Sequence, residues 1–269
     1  MTRKRSAGFT LTELAVVFVI VSLLVAGAMY TVSAQIEERN RVDTLRRLEE
    51  AKELLLAYAL VNGRLPCPAR SNSAGDEVRT AAGECKNGAG LEDYYGGTLS
   101  DGTVGGYLPA AAIGFSPVNS SGFALDAWNN PIRYAVAKTL NTAVTSCSDT
   151  ATTVHFTFAT KLKSNGITCA PRDLIVCNVT QTIAAGSACN AGTAVTNRYT
   201  VVAVVFSTGK NGASGPQGGN ETENVDGDHV FVYRTPDPTG ATEGEFDDLV
   251  TWIPVGQLYG RLISAGVLP

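Results

Sequence analysis

The side chains that could do chemistry in this chain are few and scattered. His155 and His229 are the only histidines, and neither has a Ser-His-Asp or H-E-x-x-H pattern around it. General-base and zinc chemistry therefore lack their usual residues, and each histidine reads as a packed or surface residue. Gly209-Lys210-Asn211-Gly212 pairs glycine with lysine. It lacks the G-x-x-x-x-G-K-[ST] spacing that cradles phosphate, and no helical pattern follows. The stretch 207–228 is rich in Gly and Asn and turns acidic. Asp226 and Asp228, with Asp247 and Asp248 further on, could offer oxygens to calcium, which takes six to eight. A solvated acidic loop is the competing reading.

Six cysteines remain: Cys67, Cys85, Cys147, Cys169, Cys177 and Cys189. None forms a C-x-x-C pair, and all lie after residue 66. The even number suits three disulfides in an oxidising compartment, against the alternative of six free thiols in the cytosol. Six cysteines allow fifteen pairings. Nearest-neighbour pairing, 67–85, 147–169 and 177–189, is one of these, and the sequence does not select it.

Charge is scarce. Only 17% of the 269 residues are Asp, Glu, Lys or Arg, and the net charge is −4. A surface that neutralises phosphates should be basic, so no nucleic-acid partner is expected. The 44% hydrophobic share is enough for a sizeable core.

The N-terminus explains part of the deficit. Arg3, Lys4 and Arg5 form a basic head, and no charged side chain lies between Glu13 and Glu37. At about 1.5 Å per residue a helix over this run spans the ~30 Å of a bilayer core. The basic head should stay cytoplasmic and the remainder face the periplasm or exterior, where disulfides persist. An ordinary signal anchor fits this pattern. A secretory signal peptide cut after Val32-Ser33-Ala34 also fits, although the apolar run is long for one. Neither accounts for Glu13, a carboxylate that is costly in lipid and calls for a partner.

Gly8-Phe9-Thr10-Leu11-Thr12-Glu13 resembles the prepilin motif of type IV pilins and type II secretion pseudopilins. The resemblance implies cleavage between Gly8 and Phe9 and N-methylation of Phe9. It makes Glu13 the fifth residue of the mature chain. Thr12 stands where many members carry Ile. The resemblance further implies that Glu13 sets assembly register by pairing with the Phe9 amine of a neighbouring subunit. The implied partners are a prepilin peptidase/methyltransferase, other pilin or pseudopilin subunits and the inner membrane. The implied location is a single pass through the bacterial inner membrane, with the N-terminus cytoplasmic and the head periplasmic, and then a fibre. On this reading the chain is no enzyme but a structural subunit, a minor pilin or pseudopilin of a type IV pilus or type II secretion pseudopilus. The alternative is a secreted or periplasmic disulfide-bonded binding domain behind an ordinary signal peptide or anchor.

Two later segments are similar to pseudopilin turns. Asp126-Ala127-Trp128-Asn129-Asn130-Pro131 resembles a D-x-W-G-N-P turn, with Asn129 for Gly. Ser207 to Gly212 resembles the Ser-x-Gly-x-Asp-Gly calcium turn of major pseudopilins, with Asn211 for Asp, and Asp248-Leu249-Val250-Thr251-Trp252 resembles its closing segment.

These residues need a scaffold, which the pattern supplies. Residues 1–8 read as leader, 9–34 as transmembrane and assembly helix, and 35–62 as its periplasmic half. No Gly or Pro interrupts 35–62, and Val42, Leu45, Leu48, Leu55 and Tyr58 recur at helical spacing. Gly63 and Pro66 should end the helix, giving about 80 Å from Phe9. Residues 63–127 read as a loop-rich variable segment and 128–269 as a β head. Strands are expected at 132–138, 153–159, 173–179, 199–207 and 229–234, with 201–206 central. The segment 247–253 reads as strand or turn, and 257–265 as a terminal helix or tail. The fold class is thus α+β: a long N-terminal helix packed on a C-terminal antiparallel sheet, pilin-like. Removing residues 1–8, which hold three of the 21 basic side chains, leaves 18 against 25 acidic ones, a more acidic chain.

Overall fold

The computed structural model describes residues 10–80, 83–86, 90–139, 147, 154–178, 189, 192–216, 218–237 and 245–268, excepting the side chains of 27–32. The described helices are α1 (Leu11–Asn62), α2 (Ala110–Ile113), α3 (Ala159–Asn165), α4 (Gly219–Val225) and α5 (Val255–Ser264). The described strands are β1 (Gly97–Thr98), β2 (Val104–Gly105), β3 (Arg133–Val136), β4 (Ile175–Cys177), β5 (Val201–Ser207), β6 (Val230–Val232) and β7 (Leu249–Pro254). The fold class is α+β, a long N-terminal helix followed by a C-terminal domain with antiparallel sheets. The chain divides into two compact units, Met1–Val42 and Asp43–Pro269.

In the first unit α1 runs unbroken, and residues 10–26 and 33–39 are exposed. Among the described residues no helix is long and apolar enough to cross a membrane. The side chains of 27–32, in the middle of the apolar run expected to do so, lie outside the described residues.

In the second unit the last turns of α1 bury Thr44, Leu48, Ala51, Leu55, Leu56 and Ala59. From Thr44 to Ala59 through Leu48, Ala51 and Leu55 the spacing is four, three, four and four, which puts these five on one face, and Leu56 adjoins it. This face is rotated from the expected stripe. Leu48 and Leu55 belong to it, together with the fully buried Ala51 and Ala59, whereas Leu45 is 38% exposed. Each fully buried Leu contributes roughly 1.5–3 kcal/mol of transfer free energy. The helix stops at Asn62 because Gly63 takes φ +66°, and Pro66 follows.

The main sheet has the order β3-β5-β7 and is antiparallel throughout, with Ala135 opposite Val204 and Val204 opposite Trp252. All seven residues of β5 are buried, as its unbroken apolar run requires of a central strand. α5 closes the core with Leu258, Tyr259 and Leu262. The three disulfides join Cys67 to Cys85, Cys147 to Cys169 and Cys177 to Cys189, the nearest-neighbour set.

Two expectations need correction. Residues 153–159 are not a strand: where described, they form a 3-10 turn at His155–Thr157 and the start of α3. Val154, His155, Phe156 and Thr157 are all buried, so the alternation that a half-buried strand needs is absent. The Phe156 carbonyl accepts from the Leu65 amide (2.8 Å), and its ring packs near Tyr259 of α5. Second, the antiparallel expectation does not extend to every strand. β4 and β6 pair in parallel, Val176 opposite Phe231, because the connection between them passes through β5 and α4 and returns in the same direction.

Candidate functional site

The N-terminal motif is described from Thr10 onward; Gly8 and Phe9 lie outside the described residues. Thr10 and Glu13 form a reciprocal cap. The Thr10 amide (2.9 Å) and hydroxyl (2.8 Å) donate to Glu13 Oε2, and the Glu13 amide donates to Thr10 Oγ1 at 3.3 Å. This is a capping box, which satisfies amides left over at a helix start. Beyond it Leu14, Val16, Val17, Phe18, Val19 and Ile20 are each about half exposed or more, so apolar side chains ring the helix.

The head builds a second, polar assembly from two turns. In 126–131, Asp126 Oδ1 accepts from the Trp128 and Asn130 amides at 2.9 and 2.7 Å. Asn129 stands at φ +68°, the conformation that glycine would supply in the pseudopilin turn. Arg47 of α1 donates to the Leu125 and Asp126 carbonyls, and Thr44 accepts from the Ala127 amide. The 207–212 turn docks beside it. Ser207 Oγ donates to Asp126 Oδ2 at 2.5 Å and accepts from the Gly209 amide, while Asn130 Nδ2 donates to the Gly209 carbonyl.

Against this pair of turns sits a triad of carboxylates. Oxygens of Glu221, Asp247 and Asp248 lie within 4.8 Å of one another. Asn211 Nδ2 reaches both Glu221 oxygens, at 2.9 and 3.1 Å, and its amide donates to Asp247 Oδ2. Asn224 Nδ2 donates to Asp248 Oδ2 at 2.7 Å. Asp247 Oδ1 is sealed from solvent and has no hydrogen-bond partner. It lies 2.1 Å from where a Cβ on Gly209 would stand, so that position (φ +62°) requires glycine. Burial pushes the Asp247 carboxyl up to about 6 and raises Asp248 well above the ordinary range. Three crowded, desolvated carboxylates with one orphaned oxygen fit a hard cation's demand for oxygen ligands. A cleft of about 420 Å³ opens beside them, lined in part by Asn130, Arg133, Thr208 and Asn211.

The four aspartates singled out by sequence do not converge. Asp247 and Asp248 join Glu221, whereas Asp226 and Asp228 join Glu223 in a separate triad. Sequence reading missed both glutamates and Asn224, all on α4. The Glu-x-Glu-Asn spacing was the available signal, but it needs the fold to show which way each residue faces. The Lys210 segment is followed by a 3-10 turn, Gly212–Ser214, which is no phosphate-binding helix start. His155 is buried and hydrogen-bonded to Tyr259 Oη at 3.0 Å, with burial pushing it down to about 4, so it is a neutral core residue. His229 stands edge-on to Tyr95. Trp128 and Trp252 pack half-buried against the core.

The family model of the prokaryotic N-terminal methylation motif matches residues 3–29. No curated protein and no solved structure matches the chain. The match covers the basic head, Gly8, Phe9, the Thr10–Glu13 cap and the first exposed turns of α1. Residues 3–29 of this chain are thus the type IV pilin-like prepilin motif.

Proposed function

We propose that the chain is a minor pilin or pseudopilin, a structural subunit of a membrane-rooted fibre, cut between Gly8 and Phe9 and methylated on Phe9. The observation that carries this reading is the methylation motif at 3–29 running directly into a helix ringed by exposed apolar side chains. Such a surface must be covered by lipid before assembly and by neighbouring helices after it. The Thr10–Glu13 cap holds the carboxylate at the helix start. There it meets the freed Phe9 amine of a neighbour as a desolvated pair, whose loss costs about 3–5 kcal/mol. N-terminal sequencing of the membrane-extracted protein tests this. A methylated Phe9 is expected, and a chain starting at Gln35 overturns it in favour of a signal peptide. Glu13→Ala should leave cleavage intact and abolish fibre incorporation; normal incorporation removes the register role.

A second element of the reading is calcium in the head. Glu221, Asp247 and Asp248 are its ligands, set beside the turn that resembles the calcium turn of major pseudopilins and held to it by Asn211. The orphaned Asp247 Oδ1 is the observation that favours it. Calcium should raise the melting temperature of the chelator-treated chain, and Asp247→Asn should remove most of that shift. Equal melting with calcium and with chelator overturns it.

A further inference from the structure

The second triad has its own construction. Glu223 lies on α4, and the chain leaves that helix at Asp226 into the Asp226-Gly227-Asp228 turn. Carboxylate oxygens of Glu223, Asp226 and Asp228 lie within 4.8 Å of one another. That separation fits inside the roughly 5 Å diameter of a calcium coordination shell. Glu223 and Glu221 are two residues apart on one helical turn, so they cannot share a face. α4 therefore carries one carboxylate to each triad. Asn224 ties the helix down between them, donating to Asp248 and accepting from the Val232 amide at 2.7 Å.

Glu223 is the residue that needs explaining. It is only 6% exposed, and its Oε1 is sealed from solvent without a hydrogen-bond partner. Among the described residues no basic side chain pairs with it. A buried carboxylate that keeps one oxygen without a donor and stands beside two more carboxylates is an arrangement folded chains avoid unless a cation sits among them. Burial, followed by the charges of Asp226 and Asp228, pushes the Glu223 carboxyl up to about 7. A route for an ion is present, because Asp226 is exposed.

The turn is also held in place. Asp226 Oδ1 accepts from the Asp228 amide at 3.0 Å, and Asp228 Oδ1 from the Val230 amide at 2.7 Å. Its backbone rests on a second glycine turn. A Cβ on Gly97 would stand 2.7 Å from Gly227 Cα and 2.9 Å from the Asp226 carbonyl oxygen.

We infer that Glu223, Asp226 and Asp228 form a cation site of the calcium class, distinct from Glu221–Asp247–Asp248 and joined to it through α4. The inference rests neither on the fibre reading nor on the first triad.

The experiment is calorimetric titration of the full-length chain in detergent micelles, stripped with chelator, dialysed and titrated with calcium chloride. The Asp247→Asn chain should still bind calcium at this site. Glu223→Gln should weaken that event by at least about tenfold. Asp226→Asn, a change at an exposed residue that spares the core, should do the same. In chelator, Glu223→Gln should melt no lower than the unmodified chain, because a buried unpartnered anion has been neutralised. Two results overturn the inference: an Asp247→Asn chain that binds no calcium, or Glu223→Gln and Asp226→Asn isotherms that superimpose on that of the unmodified chain. If Asp247→Asn instead binds like the unmodified chain while Glu223→Gln does not, the second site stands and the first falls.

Discussion

The first 42 residues and the remaining 227 solve opposite problems. In the head, apolar side chains are spent inward: every residue of β5 and one face of the last turns of α1 are buried, and three disulfides close the loops. In the first unit the described apolar side chains stand in the open, Leu23 and Leu24 each 68% exposed. Hydrophobic free energy that the head uses to fold, the N-terminal helix keeps available for something outside the chain. Residue types in the head are constrained by the chain's own packing. Those of the first unit's described apolar residues are not, since their side chains stand exposed.

The largest effect that can break this contrast is all-or-none. Gly8→Leu should abolish prepilin cleavage, leaving the protein at its unprocessed mass, while the melting of the head stays unchanged. A head destabilised by this substitution would mean that the two regions are not independent. Next comes a matched pair of truncations. Leu55→Ala, deep in the head, should cost about 2–5 kcal/mol in denaturant unfolding. Leu23→Ala, the same deletion on the exposed helix, should stay within about 0.5 kcal/mol. Comparable losses at the two positions would sink the idea that only one surface is spoken for within the chain.

Legibility follows the same division. The prepilin motif at 3–29 is a linear segment, so it was legible without the fold. β5 was visible because six consecutive apolar residues, 201–206, admit little but a central strand. Residues 153–159 were not, since β-branched and aromatic residues say only that a segment will be buried, and here it is buried as a turn under α5. The parallel pairing of β4 with β6 was hidden because periodicity carries no strand direction. The division of the four aspartates was hidden for a related reason. Asp226 and Asp247 look equivalent in a charge count, and only the course of α4 assigns them to Glu223 and Glu221.

Electrostatics in the head gives intermediate effects, with opposite signs at the two ends of the pH scale. Arg64 grips both Glu77 oxygens, at 2.5 and 2.8 Å, and the Cys67 amide donates to Oε2. Burial pushes the Glu77 carboxyl up, but these donors outweigh it and hold it below its ordinary value. A lowered folded-state value means that the contribution is complete above the ordinary ~4.3 and disappears as pH falls through the folded value. Glu77→Gln should cost about 2 kcal/mol at pH 7 and flatten the acid limb of the stability profile. Asp247 and Glu223, raised to about 6 and about 7, act the other way. Their contribution is present below the ordinary carboxylate range and is lost as pH rises through those values. In chelator, melting temperature should therefore decline between about pH 5 and pH 8. Calcium should remove the decline, and a profile with the same slope in calcium and in chelator would contradict it.

The smallest effect tests whether the contrast reaches the surface of the head. Asn129 is exposed, as Val17 is, but it stands at φ +68° in the turn that Asp126 organises. An L-residue with a Cβ and no local hydrogen-bonding group loses about 1–2 kcal/mol in that conformation, and Asn tolerates it better than most. Asn129→Ala should therefore cost about 1 kcal/mol, although it removes no buried contact. Asn129→Gly relieves the remaining strain but gives the unfolded chain more freedom, two terms of similar size, so its stability should change by less than about 0.5 kcal/mol. Val17→Ala makes a similar deletion at an exposed site in ordinary helical geometry and should leave head unfolding unmoved. If Ala and Gly at 129 unfold alike, local backbone does not govern the exposed positions of the head. Its surface is then as unconstrained by the chain's own fold as that of the N-terminal helix.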